Sequence, residues 1–291
     1  MKNLIGTGVA LVTPFNTDGS IDFDGLSNLV EHVIEGGVNY LVVLGTTGES
    51  ITLTEEEQIE VLEHVKKVNA KRLPIVLGIG GNNTQKLLSE FTRFDLNGVS
   101  AILSSSPSYN KPTQEGIYQH FKCLAEAAPL PIVLYNVPGR TASNMTAKTT
   151  LRLANDFKNI IGIKEASADM SQVMEIIKDK PSDFLLISGE DGLTFPMIAC
   201  GGAGVISVVA NSQPEIFAGM VKEALNGEFE SAKQKHYQLM DFINLLFEQG
   251  NPGGVKAALK HQGVCGVQMR LPLWNVDEAL EKRIGEELKG L

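Results

Sequence analysis

Cysteine is scarce and poorly placed for pairing. The 291-residue chain has three, Cys123, Cys200 and Cys265, with no CxxC among them. That spacing excludes a disulfide framework and a thiolate zinc site, and it fits reduced thiols in the cytoplasm. Each reads as a small buried apolar residue. Basic stripes are also lacking: net charge is −9 and the pI about 5.2, which argues against nucleic acid and anionic membrane as partners. The N-terminus, MKNLIGTGVALVTPF, lacks the long apolar run and small-residue cleavage site of a signal peptide. One uncharged segment, Gly192 to Pro214, is long enough to raise the question of a membrane span. Pro196, the glycines at 201, 202 and 204, Ser207 and Asn211 make it read instead as helix, turn and strand in a core.

What is present is alternation. Strand-like segments are expected at Gly8–Thr13, Tyr40–Leu44, Pro74–Ile79, Gly98–Leu103, Pro131–Tyr135, Ile160–Lys164, Phe184–Ser188 and Val205–Val209. Between them lie helical patterns. Asp22–Glu35 stops at Gly36-Gly37, and Thr54-Glu-Glu-Glu57 is a capping box. Thr84–Leu96, Thr113–Ala128, Thr146–Ala154, Ala168–Lys178 and Leu193–Ala199 continue the beat. Eight βα units in this length point to a (β/α)8 TIM barrel, an α/β fold. The competitor is a doubly wound open sheet, but no G-x-G-x-x-G follows the first strand and the unit count suits closure. After Gln213 only helices are expected. The organisation is therefore read as a catalytic barrel over 1–226 and a helical extension over 227–291 packed on it.

In such a barrel the chemistry gathers where strands end. Lys164 ends the sixth strand in NIIGIKEAS. It reads either as a surface lysine whose stem lies on apolar ground or as an amine that desolvation turns towards nucleophilic attack on a carbonyl. After the second strand, GTTGES offers main-chain N–H groups and the hydroxyls of Thr46 and Thr47, a set that holds a carboxylate without a charged side chain. Tyr135 ends the fifth strand in YNVPGRT, with Arg140 five residues on to recognise a second carboxylate. Tyr109 lies in the long loop SSSPSYNKPTQEG, and the seventh and eighth strands run into Ser188–Asp191 and Asn211. No cluster of His, Cys or carboxylates suggests a metal at these ends, and a pyridoxal phosphate site is the weaker option. Lysine with tyrosine and no cofactor suggests Schiff-base chemistry with a phenol as proton shuttle.

GTTGES, SYNKP, YNVPGRT, GIKEAS and GVISV, in this order, resemble dihydrodipicolinate synthase, of the N-acetylneuraminate lyase superfamily, over essentially the whole chain. GTTGE and the strand-six lysine mark the superfamily; Arg140 is more specific. The resemblance implies that Lys164 forms an imine with pyruvate. Thr46 and Thr47 would hold its carboxylate, with the main chain near Gly189 and Ile206 lining the pocket. Tyr135, Thr46 and Tyr109 would relay protons, Tyr109 coming from a neighbouring subunit of a homo-oligomer (a tetramer as dimer of dimers, or a dimer). Arg140 would pair with aspartate semialdehyde, giving 4-hydroxy-tetrahydrodipicolinate on the way to lysine and diaminopimelate. The alternatives are a pyruvate-dependent aldolase for a 2-keto-3-deoxy sugar acid or N-acetylneuraminate, and a non-catalytic barrel that binds a keto acid. Ser108, Ala142 and Gly253-Gly254 depart from common family residues. The family's lysine-inhibition site would fall on Ser50, Ile51, Glu55, Gln58, Asn82, Lys86 and Ser108. Lys86 stands there where lysine-sensitive members have an acid, so inhibition by lysine is expected to be weak or absent.

Overall fold

The strands are short and mostly apolar, and each is followed by a helix. A computed structural model describes residues 2–291. The order is β1 (Gly6–Ala10), α1 (Phe23–Glu35), β2 (Tyr40–Val43), α2 (Glu55–Asn69), β3 (Ile75–Gly78), α3 (Thr84–Arg93), β4 (Val99–Ser105) and α4 (Gln114–Ala127). Then come β5 (Ile132–Asn136), a one-turn α5 (Pro138–Thr141), α6 (Ala147–Asp156), β6 (Ile160–Glu165), α7 (Met170–Asp179), β7 (Leu185–Ser188), α8 (Thr194–Ala199), β8 (Gly204–Ser207) and α9 (Pro214–Leu225). The strands pair in parallel in chain order, and β8 pairs with β1 to close the barrel. The fold is the (β/α)8 barrel that the alternation predicts.

Period two sorts the strand residues. Tyr40 and Val42 face the barrel interior with Val76, Leu103, Val133 and Ile187, while Leu41 and Val43 join the apolar layer under the helices. Helix starts follow the predicted chemistry. Thr54 and Glu57 form a reciprocal capping box, and Asp22, Thr113, Thr146 and Asp169 each accept a first-turn N–H.

Several boundaries differ from the sequence reading, three of them for a clear reason, and one short helix is additional. β1 ends at Ala10, because Leu11 and Val12 are buried beyond the barrel rim and Val12 N–H turns to Asn211 Oδ1 at 3.2 Å. β8 ends at Ser207, because the N–H groups of Val208 and Val209 both donate to Asp191 Oδ2 and bend the chain. α7 starts at Met170, not Ala168, whose φ of 58° is left-handed. α5, which carries Arg140, was not anticipated; Pro138 at its first position is the local signal. Cys200, expected buried, is exposed behind α8.

Register matters most at β6. Ile132 pairs with Ile160 but Val133 pairs with Gly162, so Ile161 is an extra residue in the strand. The bulge resets the alternation, which leaves Ile163 in the outer layer and Lys164 opposite Tyr135 on the inner face. Only glycine fits at 162, since a Cβ there would meet the Leu185 carbonyl oxygen at 2.6 Å.

Three further helices, α10 (Phe229–Phe247), α11 (Gly253–His261) and α12 (Glu278–Glu287), pack together, with α10 against α8 and α9. They are fastened to the barrel mouth by a buried ion pair. Lys256 Nζ of α11 lies 2.5 Å from Glu49 Oε1 in the β2–α2 loop, and both side chains are 0% exposed. Lys256 also donates to Gln268 O at 2.8 Å and stands over the Phe15 ring; Glu49 Oε2 accepts from Arg270 N–H. Burial pulls the Lys256 ammonium below the ordinary lysine value, and the Glu49 charge opposes this. Lys256→Met strands Glu49 without its cation, so guanidinium unfolding is expected to show a loss of about 3–5 kcal/mol. A loss well under 1 kcal/mol would mean that water or another cation reaches Glu49.

Candidate active site

Neighbours in register across parallel strands share a face, so β5, β6 and β7 set Tyr135, Lys164 and Ile187 side by side inside the barrel. Lys164 is 5% exposed, and its Nζ lies 4.4 Å from the centre of the Tyr135 ring. Among the described residues it has no carboxylate within salt-bridge distance and no side-chain hydrogen-bond acceptor. Two acids feel its charge from the β7–α8 loop. Burial pushes the carboxyls of Glu190 and Asp191 upward, and Lys164 opposes the shift in both. A Cβ at Gly189 would meet the Ala166 Cβ at 2.6 Å and Lys164 Cε at 3.1 Å, so the bare backbone there lets the lysine stem pass.

The β2–α2 loop turns tightly over the mouth. Leu44 and Glu49 have left-handed φ of 60° and 51°, and Gly48 and Glu49 N–H groups close turns on Gly45 and Thr46 carbonyls. Thr47 is buried and Thr46 exposed. The amides of Thr46 and Thr47 find no acceptor among the described residues. Two free N–H groups and two hydroxyls in one turn make a donor set suited to an anion.

Arg140 projects from α5 into solvent, with no ion pair among the described residues, and its charge also reaches Glu190. Ile206 faces the interior from β8, 2% exposed. Tyr109 does not join these groups by any hydrogen bond: it is 88% exposed in the β4–α4 loop, with φ of 69°. Among the described residues no hydrogen bond links Tyr135, Thr46 and Tyr109. Asn211 does not line the site either; it is fully buried and tied to Ala10 and Val208 carbonyls at 2.9 Å each. No group of three or more His, Cys, Asp or Glu among the described residues is arranged for a metal ion.

A lysine inside a barrel, with a turn of free amides at its mouth, points to a class of enzyme. Comparison with known proteins defines it further. The model of the dihydrodipicolinate synthetase family matches residues 3–291. The chain belongs to that family. It is 56% identical to the 4-hydroxy-tetrahydrodipicolinate synthase of Flavobacterium psychrophilum over 98% of this chain and 97% of that one. It is 49% identical to the enzyme of the same name from Parabacteroides distasonis, over 99% and 97%. The crystal structure of the chloride-inhibited dihydrodipicolinate synthase from Acinetobacter baumannii, complexed with pyruvate, superposes with a TM-score of 0.95 at 38% identity, over 99% of this chain and 98% of that one.

Sequence reasoning missed the polar layer behind the family's strand-six lysine. Glu165 points out of the barrel, 1% exposed. Its carboxylate accepts from Asn136 Nδ2 at 3.1 Å, Gln172 Nε2 at 2.9 Å and Ser167 N–H at 2.8 Å. Asn136 in turn accepts from Met145 N–H, so the network ties β5, β6 and α7 together next to Tyr135 and Lys164. Alternation gave a usable signal: an acid beside an inward lysine must face the apolar layer, where it needs partners.

Burial pushes the Glu165 carboxyl up from its ordinary 4.5 against those hydrogen bonds. The folded protein then holds this proton more tightly than the unfolded chain, so stability falls as pH rises from about 4.5 through the folded value. Glu165→Gln removes that slope. Thermal midpoints of variant and parent, compared from pH 4 to 8, are expected to shift in the variant's favour as pH rises. A difference independent of pH would place the ionisation of Glu165 elsewhere.

Proposed function

We propose that this chain condenses pyruvate with aspartate semialdehyde through an imine on Lys164, giving 4-hydroxy-tetrahydrodipicolinate for lysine and diaminopimelate synthesis. The observation that carries the reading is a lysine buried in the barrel interior against Tyr135, with no carboxylate within salt-bridge distance among the described residues. A primary amine at a strand end, facing the barrel interior, is placed to add to a ketone carbonyl. Attack on C2 of pyruvate and loss of water form the imine. Removal of a C3 proton gives the enamine, whose C3 bonds to the aldehyde carbon. The semialdehyde amine then adds to C2 and releases the Lys164 amine. Thr46 and Thr47 hold the pyruvate carboxylate, with the main chain at Gly189 and Ile206 beside them. Arg140, unpaired and in solvent, takes the carboxylate of the second substrate. Tyr135 and Thr46 move protons, and Tyr109 of a second copy completes the relay.

The exposed Tyr109 and Ile51 (93% exposed) support assembly into a dimer or a tetramer built of dimers. Among the described residues no helix is long and apolar enough to cross a membrane, and we place the work of this biosynthetic family in the cytoplasm. We divide the chain into a catalytic barrel, 1–226, and a supporting extension, 227–291. Lysine is a weak inhibitor or none. Lys86 lies 3.4 Å from Glu55, so the acid that could hold a ligand ammonium already faces a cation. Ser108 is turned to Asn82, donating through N–H at 2.9 Å and Oγ at 3.0 Å.

A coupled assay of pyruvate with aspartate semialdehyde, against 2-keto-3-deoxy sugar acids, tests the reaction; turnover of only the sugar acids would overturn it. Arg140→Ala is expected to keep the pyruvate adduct and to lose roughly 100-fold or more in kcat/KM for the semialdehyde. Equal loss of adduct formation would show that the two anion sites are not separate.

Initial rates at sub-saturating pyruvate should change little as lysine is added. Near-complete inhibition at micromolar lysine would contradict the Lys86 argument.

A further inference from the structure

Asn251 lies in the turn between α10 and α11, far in sequence from the barrel strands. Its Nδ2 donates to Thr47 Oγ1 at 3.0 Å. This is the one side-chain hydrogen bond of Thr47 among the described residues, and the Thr47 side chain is buried. A threonine hydroxyl has one proton and two lone pairs. Asn251 occupies a lone pair, so the hydroxyl proton is left to donate elsewhere. The contact is stiffly held. Two residues after Thr47, Glu49 is bound by Lys256, five residues after Asn251, and Thr13 Oγ1 donates to the Gly48 carbonyl between them at 2.6 Å. The Glu49–Lys256 pair therefore joins the loop to the helix that follows the Asn251 turn, while Thr13 holds the same loop to the segment after β1.

We propose that Asn251 is a positioning residue that commits the Thr47 hydroxyl proton to the pyruvate carboxylate, so that the C-terminal helices set affinity for the first substrate. The inference rests on the role given above to Thr47. An acceptor in place of the Asn251 amide N–H would reverse the hydroxyl. Its proton would go to residue 251, and the incoming carboxylate would meet a lone pair.

The test is a double-mutant cycle in the full-length protein: parent, Asn251→Asp, Thr47→Val and the pair, with Asn251→Ala in a parallel cycle in case the aspartate prevents folding. Borohydride trapping against pyruvate concentration and steady-state KM values for each substrate are read alongside thermal midpoints. Asn251→Asp is expected to raise the KM for pyruvate roughly tenfold to hundredfold and to leave the KM for the semialdehyde little changed. On the Thr47→Val background the same change should add almost nothing, because there is no hydroxyl left to turn. An unchanged pyruvate KM, or an equal increment with and without the Thr47 hydroxyl, overturns the positioning role even if the midpoint falls. A parent protein that condenses the substrates while Asn251→Asp leaves pyruvate affinity intact removes this inference alone. A parent that traps no pyruvate removes the reading of the site beneath it.

Discussion

Among the described residues two lysines are buried, Lys164 in the barrel and Lys256 in the helical extension, and only Lys256 pairs with a carboxylate. Lys256 meets Glu49 at 2.5 Å, a carbonyl and an aromatic face, which is how a buried ammonium is ordinarily made tolerable. Lys164 has the Tyr135 ring beside it instead, and no carboxylate within salt-bridge distance among the described residues. Most of the mouth can be understood as placing Lys164. The β6 bulge aims it inward, Gly162 and Gly189 make room for the backbone and stem, and the Glu165 network behind the strand fixes the register.

The paired lysine serves the unpaired one. Through Lys256 and Glu49 the C-terminal helices grip the loop that carries Thr46 and Thr47, and Arg270, extending its N–H to Glu49 and its guanidinium to Glu57, binds the same region to α2. A loop with left-handed residues and unsatisfied amides would relax if left alone. Here its strain is borne by burial of an ion pair against the extension. Arg140 is held differently: it stands on a one-turn helix, exposed to solvent.

The architecture was legible in the chain because each βα unit is locally consistent. β-branched runs are bounded by glycine and proline, and Thr54, Thr113 and Thr146 stand where caps are needed. The residues that would carry the chemistry were legible because barrels collect them at strand ends. What was hidden is non-local or one residue wide. No local pattern tells that Ile161 is a bulge, since Ile160-Ile161-Gly162-Ile163 reads as a plain strand. Nothing near Lys256 distinguishes it from a surface helix lysine; its partner is 207 positions away. Asn251 and Thr47 likewise meet only once the chain has folded. The end of β8 was misplaced because Asp191, from the preceding loop, captures two amides that the apolar run alone would have continued in the sheet.

The contrast between the two lysines is directly measurable. Borohydride reduction in the presence of pyruvate, followed by peptide mass mapping, reads which amine adds to the ketone. The account predicts a stable adduct on the peptide containing Lys164, complete at saturating pyruvate, and none on Lys256. No adduct at Lys164, or comparable labelling at Lys256 and the surface lysines, would contradict it.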